Sequence, residues 1–213
     1  MTVAAYTTLL PDILPHVVSC PMPSIQRAIQ VVAQDYFQRS QAYTYDLAST
    51  SVILNQSEVT VILPANTRLV VPLTLYLNGD LLATTNHSML SLEFGDWTVA
   101  TAAIPKYVMV HDSIGDKLVL ALKSNGAYSL TGRVAVKPTR VAVSVEEEQL
   151  ETHGDAIVDG VLGRMMMMKN TEWYDGQLAS FHMNEYERAI DEAHNVSTKG
   201  NTSRGMTTGY GGV

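Results

Sequence analysis

Apolar residues first recur at a helical interval at Ile25. Ile25, Ala28, Ile29, Val32, Ala33, Tyr36 and Phe37 repeat at three- and four-residue steps, which predicts one buried stripe of an α-helix about four turns long. Gln26, Arg27, Gln30, Gln34 and Gln38 fill its other face. Pro23 suits the first turn, and Ser24 is placed to cap it. Residues 1–23, marked by Pro11 and Pro15, read as an irregular arm.

From Tyr43 to Arg140 the period drops to two. Val59, Val61 and Leu63 alternate with other residues, as do Leu73, Leu75 and Leu77. Asn78-Gly79 then separates that run from Leu81-Leu82-Ala83. Asn-Gly between apolar runs predicts a hairpin, because a type I′ turn needs positive φ at both central residues. The same pattern predicts a second hairpin at Asn125-Gly126, with Leu118, Leu120 and Leu122 answered by Leu130, Val134 and Val136. Residues 89–102 and 105–112 read as two or three further strands. Seven to nine strands in about 100 residues point to an antiparallel sandwich or small barrel.

Helical spacing returns after Val143. Ser144 and Glu147 have the spacing of a capping box. Leu150, Ile157, Val161, Met165 and Met168 share a stripe, interrupted by Gly154, Gly160 and Gly163, which would let another backbone approach. Lys169–Glu172 breaks this helix, and Asp175-Gly176 begins another, running to about His194. Leu178, Phe181, His182, Tyr186, Ala189 and Ala193 are its expected inner face. So short a connection predicts an antiparallel pair. The fold expected is therefore α+β. An N-terminal arm and helix (1–42) would pack with a C-terminal antiparallel helical hairpin (144–196). An antiparallel β-domain (43–143) is inserted between them, and a flexible tail (197–213) follows.

Charge follows the same divisions. Residues 1–143 carry nine basic and nine acidic side chains, residues 144–196 three and twelve, and the last 17 two basic and no acidic ones. That tail also holds five glycines and too few apolar residues to order itself. The reading left open is a frayed terminus or a segment that folds on a partner. With 213 residues the chain can bury a core without staples. A charged fraction of 16%, below the usual quarter, fits a β-rich or interface-rich protein. A net charge of −7 argues against a general nucleic-acid binder. The single cysteine, Cys20, excludes an intramolecular disulfide framework and multi-cysteine zinc sites. The N-terminus has no basic residue before its apolar stretch, and no run reaches membrane-spanning length, so a cytoplasmic protein is expected.

No catalytic signature is present. Phosphate-loop, dinucleotide, nucleophile-elbow and zinc-protease motifs are all missing. His182 and His194 are twelve residues apart, about 18 Å along one helix, too far to share an ion. The Asp191–His194 spacing occurs in bundle metal sites, but its matching second set is lacking. His111-Asp112 reads as a turn. The run Met165–Met168 reads as core on one side and neighbour-facing on the other. No metal, cofactor or catalytic residue is expected, and the protein is not expected to be an enzyme.

Four stretches carry a family likeness: Cys20-Pro21-Met22-Pro23, Tyr45-Asp46-Leu47, Leu77-Asn78-Gly79-Asp80-Leu81, and Trp173 to Met183. With the Arg204-Gly205 step in the tail, the layout resembles the head-to-tail adaptors of tailed bacteriophages, the rings beneath the portal. Gly176 departs from that pattern, where a proline would be expected. The resemblance implies a homo-oligomeric ring, twelve copies matching the portal, at the head–tail junction of a virion assembled in the host cytoplasm. Val161, Met165, Met168, Phe181 and Tyr186 would pack subunits together. The tail, through Lys199, Arg204, Met206 and Tyr210, would anchor on the portal protein. The β-domain would meet a tail nozzle, tube or fibre, and genomic DNA would cross the lumen without sequence-specific binding. Two other readings stand beside it. One is a β-sandwich module binding a ligand or glycan, with Trp97, Tyr107 and Tyr128 as platform and the helices as an oligomerisation stalk. The other is a hydrolase assembled from Asp96, His111 and Asp112.

Overall fold

A computed structural model describes residues 2–98, 101–102, 104–111 and 115–199; of residues 101, 102 and 199 it describes the backbone alone. The described part is α+β, with five α-helices and a nearly closed, barrel-like sheet of seven strands.

The N-terminal arm has regular structure. Strand β1 (Val3–Ala5) leads through one 3-10 turn (Tyr6–Leu9) into the short α1 (Leu10–Ile13). Helix α2 (Met22–Ser40) follows, and all seven residues of its predicted stripe are buried. It starts earlier than a Ser24 cap requires. Pro21 occupies the cap position with no side-chain bond, and Pro23 lies in the first turn, where its missing N–H costs nothing. Gln41, at φ 55°, ends the helix by donating its N–H to the Phe37 carbonyl.

The β region comprises β2 (Thr44–Val52), β3 (Glu58–Thr60), β4 (Thr67–Leu77), β5 (Asp80–Thr84), then α3 (His87–Phe94). After it come β6 (Thr101–Ala102), β7 (Tyr107–Val110), β8 (Lys117–Ala121), β9 (Lys123–Ser124) and β10 (Tyr128–Pro138). The main sheet runs β2-β10-β4-β5-β7-β8-β3. Its two edge strands are consecutive in the chain, so the sheet curls back on itself. The Asn78-Gly79 hairpin forms as expected, with φ of 52° and 94° and Leu77 opposite Asp80. The Asn125-Gly126 hairpin does not form. Both edges of β10 are already taken, by β2 and β4, and Leu122 at φ 69° turns the chain out of β8. The sheet is also not wholly antiparallel, because β5 and β7 are parallel. A parallel pair needs a long crossover, and α3 lies in it. Residues 89–94, expected as strand, are helical instead, because the Asn86 side chain caps α3, accepting from the Met89 N–H at 3.0 Å.

Ser144 does not open a capping box. Ser144–Glu146 are extended as β11, paired antiparallel with β1, so Ser144 is occupied in a ladder. Helix α4 (Glu147–Met166) starts after it, and α5 (Gly176–Lys199) runs past His194. Residues 197–199, expected in the tail, are therefore helical, and Ser197 Oγ donates to the Ser40 carbonyl at 2.9 Å. Asp175 caps α5, its carboxylate accepting from the Gln177 and Leu178 N–H groups at 3.0 Å each.

Helices α2, α4 and α5 contact one another and share a core with the sheet. The Phe37 and Tyr43 rings, 5.5 Å apart, join the last turn of α2 to the entry into β2. Gly160 and Gly163 admit side chains. A Cβ on Gly160 would lie 2.6 Å from Val32 Cγ1 and 2.7 Å from the Tyr186 ring, and one on Gly163 2.7 Å from Met183. A second, smaller cluster of Leu90, Trp97, Val119 and Ala121 sits beneath α3.

Candidate functional site

The residues expected to join subunits divide into two groups. Val161, Met165 and Tyr186 are buried within the chain's own core. Their places follow from helix spacing, since α4 must bury one stripe against α2 and α5, and these residues lie on the facing stripes. Tyr186 Oη donates toward the Val32 carbonyl at 3.2 Å and the Asp35 carboxylate at 3.1 Å. Burial first, then Asp35, pushes its pKa upward, so it stays a neutral phenol. Beside it Arg39 binds Glu187 with both guanidinium nitrogens, one of them at 2.8 Å. The bond to Arg39 holds the Glu187 carboxyl below its ordinary range. Asp35 completes this cluster, 3.5 Å from Arg39.

Met168 and Phe181, by contrast, are 40% and 56% exposed. The four-methionine run is divided where α4 ends, with Met165 and Met166 buried and Met167 and Met168 in the open. On α5 the inner positions are Ala179, Tyr186 and Ile190, joined by the partly buried Met183, Ala189 and Ala193. Leu178 and Phe181, expected inside, fall off that stripe and are exposed. Together with Tyr174, they and the two methionines place five large apolar side chains in solvent around the α4–α5 connection. The backbone beneath is tied down by hydrogen bonds. Asp175 holds the start of α5, and its N–H donates to the Met166 carbonyl at 3.2 Å. His182, next to Phe181, contacts Asp159 of α4 at 2.8 Å through Nδ1, and its ring lies 6.4 Å from that of His16. What the surface offers chemically is apolar area in solvent, with His182 and Asp159 as polar neighbours.

Of the residues expected to anchor on a portal, Arg204, Met206 and Tyr210 lie outside the described residues, and Lys199 is described only as the last residue of α5.

The aromatic platform is not assembled. Trp97 is 6% exposed and packs under α3, while Tyr107 donates from Oη to Glu93 and Tyr128 to Asn125 at separate places on the sheet. Asp96 accepts a hydrogen bond from Thr98, and Asp112 lies outside the described residues. His111 stands instead 3.9 Å from Glu58, whose other oxygen accepts from Lys117 at 2.8 Å. Glu58 and His111, with His87 and Trp97, border a cleft of about 290 Å³. Sequence reasoning missed this grouping because Glu58 and His111 meet only through the β3–β8–β7 pairing.

Cys20 is buried, which raises its thiol pKa and leaves it a poor nucleophile. Among the described residues no group of three or more His, Cys, Asp or Glu side chains is placed to hold a metal ion. No described helix is long and apolar enough to cross a membrane. In comparisons with known proteins, no family model and no curated protein matches the chain.

Proposed function

We propose that this protein is a structural assembly subunit, a head-to-tail adaptor whose copies form a ring joining a phage portal to the tail and surrounding the DNA channel. In this reading α2, α4 and α5 act as one three-helix unit, with α4 and α5 its antiparallel hairpin, and the barrel-like sheet projects toward a nozzle, tube or fibre. The observation that carries the reading is the exposed apolar surface of Met167, Met168, Tyr174, Leu178 and Phe181 on a pre-ordered helical frame. An apolar group of this size on a soluble protein marks a contact with another macromolecule. The segment beyond Lys199 supplies the anchor: basic, glycine-rich, with Met206 and Tyr210 as its large apolar residues. One such segment alone offers few contacts, but a ring of tethered copies converts later contacts into intramolecular ones.

The test is co-sedimentation with the purified portal from the same source, using the full chain and a chain ending at Lys199. Stoichiometric binding that disappears on truncation is the expected result. Failure of the full chain to bind the portal removes the reading. Weight then passes to a ligand-binding role for the β region, for which the Glu58–His87–Trp97–His111 cleft is the observation to pursue, with Trp97 fluorescence across a glycan panel as the measurement.

A further inference from the structure

Four basic side chains on one side of the molecule have no acidic partner among the described residues: Arg27, Arg68, Lys137 and Arg140. They are near one another. Arg27 Nη1 donates to the Arg140 carbonyl at 3.3 Å, and Lys137 Nζ to Gln38 Oε1 at 2.8 Å, so both contacts tie the end of β10 to the polar face of α2. Lys137 and Arg68 are register partners on β10 and β4. Like charges directly opposite each other destabilise a sheet. Burial and then Arg68 lower the Lys137 pKa. Arg68, its stem laid over Gly115, is exposed, as are Arg27 and Arg140. Beside Arg140, Val141 and Val143 are 74% and 65% exposed.

A second unpaired group has the opposite sign. Glu147, Glu148, Glu151 and Asp155 are exposed on the first turns of α4, and none has a basic partner among the described residues. The contact between α2 and α4 fixes how the two groups face. Tyr36 on α2 meets His153 on α4 at 3.0 Å. Each residue step turns a helix by about 100°. Gln38, the partner of Lys137, is two residues from Tyr36 and so faces away from α4. Arg27, eleven residues before Gln38, returns to the same side. Glu151 and Asp155 are each two residues from His153 and so face away from α2. The basic and acidic faces thus lie on opposite sides of the α2–α4 pair.

We propose that the basic face of one copy, Arg27, Arg68, Lys137 and Arg140, binds the acidic first half of α4 of a second copy. The inference rests on the ring reading and deepens it by naming the subunit contact. Two unlike, complementary faces on opposite sides make a head-to-tail interface, which closes into rings when the rotation permits. Carboxylates from the neighbour relieve the Arg68–Lys137 repulsion, and Val141 and Val143 add apolar contact beside the charges. Nucleic acid fits less well, since a phosphate backbone approaching the basic face would leave the acidic face of every copy unneutralised. Because Arg27, Arg68, Arg140 and the four acidic groups are exposed, assembly responds to salt, the screening length being about 8 Å at physiological ionic strength.

The experiment is sedimentation of the full chain, alone and with purified portal, at low and raised salt. One variant carries Arg68→Glu and Arg140→Glu, the other Glu151→Lys and Asp155→Lys, with circular dichroism to verify folding. Each variant alone is expected to lose at least tenfold in assembled fraction, while an equimolar mixture regains it as alternating rings. If either pair fails to fold, Arg68→Gln with Arg140→Gln, or Glu151→Gln with Asp155→Asn, replaces it and must show the same loss in weaker form. Rings of the parent chain that neither charge reversal disturbs overturn this contact and leave the ring reading standing. A parent chain that forms no ring, alone or on the portal, overturns both. Binding of duplex DNA that the arginine variant loses while still assembling overturns the contact in favour of a nucleic-acid face.

Discussion

Gly132 sits in the middle of β10 at φ 138°, where a Cβ would lie 2.1 Å from the Thr74 carbonyl oxygen of the neighbouring strand. Gly79 shares the sign of φ but has nothing within 4 Å of its would-be Cβ. The two therefore separate backbone strain from collision. Gly79→Ala is expected to lose about 1–3 kcal/mol through strain alone. Gly132→Ala is expected to lose clearly more, because the obstructing atom is backbone and cannot rotate aside; urea midpoints of the two variants decide it. His153 provides a second test at this scale. Burial lowers its pKa from 6.5 while Nδ1 bonds Tyr36 Oη, itself pushed up to about 12. The folded state holds this imidazole neutral, so below pH 6.5 the unfolded chain binds the extra proton and stability falls with pH. Melting temperature should therefore decline between about pH 7 and the lower folded pKa, and His153→Gln should flatten that slope. The paired carboxylates Asp46 and Glu187, with pKa values below 3.8 and 4.5, lose their contribution only in more acidic solution.

At the scale of elements, α5 depends on its first turn. Asp175 accepts two backbone N–H bonds there, so Asp175→Ala should destabilise the protein by about 1 kcal/mol and Asp175→Asn by less, read from chemical denaturation. The start of α5 at Asp175 was legible in the sequence, as were the apolar stripe of α2, the Asn78-Gly79 hairpin and the burial of Leu150, Ile157, Val161 and Met165. Each is fixed by neighbours within a few positions. What was not legible depends on distant partners. Ser144 has the spacing of a cap but is held extended by Val3–Ala5, which lie far back in the chain. Asn125-Gly126 has the composition of a hairpin turn, yet β10 pairs on both sides with other strands. Phe181 and Leu178 are apolar at nearly the right interval, and only the placing of α4 decides that Ala179 takes the inward place beside the expected Tyr186. The basic face was hidden for a related reason. Its four residues are spread from Arg27 to Arg140 in a segment whose charges sum to zero, so no local count reveals them.

For the molecule as a whole, one continuous core runs from Ile13 and α2 through Tyr43 to Leu75 and Val134 in the sheet. Helices and sheet should therefore unfold together: in native-state hydrogen exchange, the slowest amides of α2 and β10 should report the same opening free energy. A lower value for α2 would mean that the helices come away as a separate unit. The short β1–β11 ladder also bears on the order in which the chain comes together. Bringing Ala5 to Ser144 directly would close a loop whose entropy amounts to roughly 4 kcal/mol, too much for a three-residue ladder to recover early. The sheet offers a shorter route, because β2 and β10 pair with Thr44 opposite Ala135 and so bring the segments flanking the β region side by side. Until those strands meet, α2 has only the N-terminal arm, through residues such as Tyr6 and Leu10, to cover part of its apolar stripe. A chain emerging from the ribosome must hold the rest of that stripe exposed while roughly a hundred more residues are made, an interval of several seconds at ordinary synthesis rates. The ladder then acts as a late latch, and the nascent chain is most vulnerable to aggregation just before it closes.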